Sequence, residues 1–101
     1  MNVNAALKAL TVNGAEFMKM VGERKFDFFD DGIVAGSGNY GSCMAEQASA
    51  MTGRTVRSSA GIQSATVRLG LWDTYEDGGD SGLWWALTDL GAQVARHLAA
   101  A

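Results

Sequence analysis

The sequence predicts a single α+β domain, mainly α-helical with one small antiparallel β-hairpin. Three observations carry that class. Apolar residues recur at helical spacing in four stretches, roughly 3–22, 42–53, 55–69 and 88–98. A turn-rich run, Glu76-Asp77-Gly78-Gly79-Asp80-Ser81-Gly82, separates two β-prone segments. The chain has 101 residues, 48% hydrophobic and 19% charged, which suits one modest core rather than disorder.

Each element has its own signal. Val3, Leu7, Leu10, Phe17 and Val21 share one stripe, with Met18 and Met20 beside or behind it. They predict a first helix over 3–22, breakable at the turn dipeptide Asn13-Gly14. Phe26-Asp27-Phe28-Phe29-Asp30-Asp31 reads as irregular chain or a short strand, its phenylalanines as core. Residues 36–42 read as a loop, after which Ser42 caps a second helix with Met44, Ala48 and Met51 at i, i+4 and i+7. Gly53 stops it. Thr55 or Ser58 caps a third helix running to about Leu69, ended by Gly70. Leu71-Trp72 opens the first hairpin strand, and Leu83 to Leu87 returns. Alternation turns Trp72 and one of Trp84 and Trp85 inward and leaves the other outward. Thr88 caps a last helix whose Leu90, Val94 and Leu98 share a face, either core or dimer surface.

Charge is unevenly spread within a net of −3. Residues 1–53 carry −2, residues 54–72 carry +3 from Arg54, Arg57 and Arg68, and residues 73–101 carry −4. No global basic field advertises nucleic acid, yet an acid-free basic island sits inside an acidic chain. The one cysteine, Cys43, excludes an internal disulfide framework and reads as a small buried hydrophobe. There is no apolar run of signal-peptide type at the start and no stretch of about 18 apolar residues, so the expectation is a cytoplasmic protein off the membrane.

The third helix supports an angular count at about 100° per residue. Arg57, Gly61, Ser64 and Arg68 lie within about 40° of one another. Ile62, Ala65 and Leu69 lie some 80–140° away and form the face expected to pack inward. Two guanidinium forks with small residues between them are what a helix in the major groove requires. Arg54, Thr55 and Ser58, at the turn and first helical residues, are placed to hold phosphates.

Helix, short glycine-containing turn, helix, Arg68-Leu69-Gly70-Leu71-Trp72, hairpin, then Trp85-Ala86-Leu87-Thr88-Asp89-Leu90-Gly91: this order resembles the winged helix-turn-helix superfamily. The resemblance spans roughly residues 42–98, and residues 23–41 have no counterpart in it. It implies a recognition helix over 55–69, a wing over 71–87 and a DNA-binding transcriptional regulator. It also implies double-stranded DNA as partner and a closing helix that serves as a homodimer surface. The DNA-binding residues so expected are Arg54, Thr55, Arg57, Ser58, Gly61, Ser64 and Arg68. The wing departs from the pattern: DNA-binding members carry Arg or Lys at its tip, whereas here stand Glu76, Asp77 and Asp80, which phosphates repel. The alternative is therefore a winged-helix interaction module whose Trp84, Trp85, Glu76, Asp77 and Asp80 meet a basic protein partner.

Other motifs carry less. Gly36-Ser37-Gly38-Asn39-Tyr40-Gly41 matches G-x-G-x-x-G, but a dinucleotide site also needs a solid strand before it and an acid about 20 residues on. It reads as a flexible loop. Gly79-Asp80-Ser81-Gly82 echoes a serine-protease signature, but the single histidine, His97, supplies no oriented base. Cys43 and His97 are isolated soft ligands, and Asp73, Asp77 and Asp80 lack the glutamate that closes a calcium loop. The expectation is a non-enzyme with no cofactor and no metal.

Overall fold

In a computed structural model, residues 1–27, 29, 32–76 and 82–101 are described. The order of elements is α1 (Val3–Ala9), α2 (Val12–Gly22), β1 (Gly38–Tyr40), α3 (Gly41–Thr52), α4 (Val56–Arg68), β2 (Trp72–Glu76), β3 (Leu83–Leu87) and α5 (Asp89–Ala100). The α+β class holds, with five helices and a three-stranded antiparallel sheet among the described residues.

The N-terminal stripe forms two helices, and the break falls at Leu10-Thr11 instead of Asn13-Gly14. Leu10 is extended, and the Thr11 hydroxyl accepts the Gly14 amide at 3.0 Å, capping α2. A good N-cap satisfies an amide that would otherwise be orphaned, so it outweighs the turn preference of Asn-Gly. Asn2 caps α1 in the same way, accepting from Ala5 at 2.8 Å.

The expected loop at 36–42 is corrected: Gly38–Tyr40 is a strand, and the sheet order is β1-β3-β2. Gly38 faces Ala86, Asn39 faces Trp85 and Tyr40 faces Trp84. The glycines are steric. A Cβ on Gly38 would overlap the Trp85 carbonyl oxygen, and one on Gly41 would stand 2.6 Å from the Trp85 indole nitrogen. The second and third glycines of the Gly-x-Gly-x-x-Gly pattern are thus explained by a strand and a helix start pressed against Trp85, whereas Gly36 meets open space at φ 92°. Helix α3 begins one residue before Ser42, with Tyr40 in the cap position, so Ser42 lies inside the helix.

The later expectations hold locally. Gly53 ends α3 in the left-handed region at φ 78°, which costs glycine little. Thr55 caps α4 by accepting from Ser58 at 3.1 Å, and Thr88 caps α5 by accepting from Gly91 at 3.0 Å. Thr88 also donates to the Gly70 carbonyl at 2.7 Å, tying the end of the hairpin to the end of α4.

The core gathers aromatic and sulfur side chains between the helices and the inner sheet face. Trp72 meets Phe17, Phe29 and Trp85 at ring separations of 6.2, 6.4 and 5.8 Å. Met18, Met44, Leu71 and Val94 are fully enclosed. Helix α5 packs against α2, with Val94 buried and Leu90 and Leu98 partly buried, so this stripe packs on the core. Between α2 and β1, Phe26, Phe29 and Ile33 anchor the chain, while Phe28, Asp30 and Asp31 lie outside the described residues. Asn39 is wholly buried, and its amide donates to the Asp27 carbonyl at 3.1 Å. Gln47 exchanges two hydrogen bonds with Asp27, at 3.1 and 3.2 Å. Cys43 is half-buried. No helix among the described residues is long and apolar enough to cross a membrane.

Candidate nucleic-acid interface

Helix α4 follows α3 after the short turn Gly53-Arg54-Thr55, and side-chain bonds pin that turn. Ser49 donates its hydroxyl to the Arg54 carbonyl at 2.6 Å, and the Arg54 amide donates to the Thr52 hydroxyl at 3.3 Å. The geometry between the two helices is therefore fixed by more than their packing.

The side of α4 that packs inward differs from the apolar side expected. Ser59, Gln63 and Thr66 are the buried residues, whereas Ile62, Ala65 and Leu69 are only partly buried. Internal hydrogen bonds offset part of the cost, although the Ser59 hydroxyl and Gln63 Oε1 find no partner among the described residues. Thr66 donates to the Gln63 carbonyl at 2.6 Å, and Gln63 donates to the Gly41 carbonyl at 2.7 Å, joining α4 to the first residue of α3. A buried polar group that finds a partner loses most of its desolvation penalty. Helix α4 is thus turned so that its polar anchors face the domain and the Arg57 side faces away.

On that outward side Arg57, Ser58, Gly61 and Arg68 are exposed and Ser64 is half-buried. Among the described residues neither Arg57 nor Arg68 makes an ion pair. Eleven residues apart at about 1.5 Å rise each, their backbones stand about 16 Å apart along the helix. Between them, a Cβ added at Gly61 would meet open space, so nothing crowds the backbone there. Val56, at the first helical position, is 46% exposed and lies on the side of Ser59 and Gln63, three and seven residues on.

Two expected backbone-holding residues are otherwise engaged. The Arg54 guanidinium bridges to Glu16 at 2.7 Å and to Asn13 at 3.0 Å, so it ties the turn to α2. The Thr55 hydroxyl is exposed but occupied in capping. Among the described residues this leaves Arg57 and Arg68 as the cations of the stripe without an ion pair. Arg96, far from it in sequence, donates to the Ile33 carbonyl at 2.6 Å.

Of the residues expected to meet a protein partner, Trp85 is 8% exposed and belongs to the core, because it lies on the inner sheet face with Trp72. Trp84 is the outward member and is half-buried. Glu76 is exposed at the end of β2, and Asp77 and Asp80 lie outside the described residues. No protein-family model, curated protein or solved structure matches the chain.

Proposed function

We propose that the chain is a winged helix-turn-helix domain that binds double-stranded DNA, with α4 as its recognition helix and transcriptional regulation as its role. The observation that carries this reading is the outward stripe of α4, where two arginines with no ion pair among the described residues bracket small residues on an anchored helix. The order α2, β1, α3, turn, α4, β2, β3 supports it, since it places a tight helix pair directly before a hairpin. Arg57, in the first turn of α4, reaches base edges, guanine being the best match for its fork. Ser58 and Ser64 add hydroxyls beside it. Arg68, at the far end, neutralises phosphate.

Fluorescence anisotropy on a random duplex pool at two salt concentrations tests this. The expected result is binding that weakens steeply with salt, with a slope reduced by about two when Arg57→Ala and Arg68→Ala are combined. Arg54→Ala serves as the control. It leaves the slope unchanged and lowers stability by at most about 1 kcal/mol, as a half-exposed ion pair should. Wild type that stays unbound at low salt rules the reading out.

A further inference from the structure

The outer face of the sheet carries one aromatic ring from each strand. Residues directly opposed across antiparallel strands point to the same side. The register sets Tyr40 opposite Trp84 and Trp84 opposite Tyr75, so the three side chains form a row across the sheet. The Tyr40 and Trp84 rings meet edge to face at 5.1 Å, and Tyr75 is 50% exposed. Trp85 points the other way, into the core. Asp73 lies two residues before Tyr75 on β2, on the same side and exposed.

An aromatic row alone would accept an apolar surface, a stacked base or a cation. Charge decides among them. From Leu69 to Ala95 the chain carries Asp73, Glu76, Asp77, Asp80 and Asp89, with no lysine, arginine or histidine. Asp73 is the carboxylate on this face. Bases arrive with phosphates, which it repels. Apolar interface cores are depleted in charge, so an uncharged partner gains nothing from an acid beside the rings. An arginine or lysine gains from both, because ring faces attract cations and the carboxylate pairs with them.

We propose that Tyr40, Trp84, Tyr75 and Asp73 form a docking face for an arginine-bearing segment of a second protein. The face shares no residue with the α4 stripe, so it stands or falls independently of DNA binding.

The test titrates the full chain with a capped Arg-Ser-Arg-Ser-Arg peptide and follows amide and indole resonances. The expected shifts fall on the outer faces of β1, β2 and β3 and on the Trp84 indole. Tyr75→Ala, which keeps the charge, and Asp73→Asn, which keeps the ring, each weaken binding by about five- to ten-fold. Both should leave duplex binding through α4 intact. Tyr75→Leu, which keeps apolar bulk on the strand and loses only the ring face, gives the same answer if Tyr75→Ala does not fold. Undiminished binding by a folded Tyr75 variant overturns the proposal, as do shifts scattered over acidic residues elsewhere. So does sedimentation velocity showing a dimer that Arg57→Ala/Arg68→Ala abolishes, since the occupant is then α4 of a second copy.

Discussion

Ser59 is 3% exposed, and its hydroxyl has no hydrogen-bond partner among the described residues. An unsatisfied buried hydroxyl costs on the order of 1–3 kcal/mol, and alanine removes the oxygen with almost no change in shape. Ser59→Ala is therefore expected to raise unfolding stability by about 1 kcal/mol, read as a higher urea midpoint at unchanged slope. Its neighbours show what was legible at this scale. The outward position of Arg57 and Arg68 could be read from the sequence, because long charged side chains resist burial. The inward position of Gln63 and Thr66 could not. Hydropathy favours Ile62, Ala65 and Leu69, and only the bond from Gln63 to Gly41, 22 positions earlier, offsets the burial of an amide. The ion pair of Arg54 is hidden from the sequence for a similar reason: its partner Glu16 is 38 residues away.

Among the elements, those announced by local chemistry were found in the sequence. Thr55, Thr88 and Gly53 cap or stop their helices within three or four residues, so spacing alone identifies them. Strand β1 has only three residues and owes its conformation to β3, more than 40 positions downstream, so no periodicity could reveal it. Its glycine gives the test. Gly38→Ala forces a methyl into the Trp85 backbone and is expected to lower stability by about 2–3 kcal/mol, measured by thermal or urea unfolding. Gly61→Ala, placed in open space on α4, is the matched control and should stabilise by up to about 1 kcal/mol.

For the whole molecule, the division of charge is the dominant feature. A helix pair with an acid-free basic stretch adjoins a hairpin and closing helix that hold five carboxylates and one arginine. If α4 lies on DNA, the exposed carboxylate of Glu76 on the hairpin opposes the phosphates. Glu76→Lys is accordingly expected to tighten duplex binding at low salt and to steepen the salt slope by about one, in the same anisotropy assay. This asymmetry was visible in the sequence. What the fold adds is that the hairpin also presents a second, aromatic surface on its outer side.

The strand order has a consequence for how the chain matures during synthesis. Strand β3 is the central strand, and both edge strands pair with it and not with each other. Strand β1 is made first but has no partner until residues 83–87 have emerged. Until then α3 and α4 lack the support of β3, with Trp85 absent from beside Gly41 and Trp72 missing one of its ring neighbours. The last fifth of the chain thus closes a structure whose first strand has waited through two helices and a turn. A nascent domain of this kind gains its sheet in one late step, and truncation before Leu83 removes the sheet as a whole rather than one strand of it.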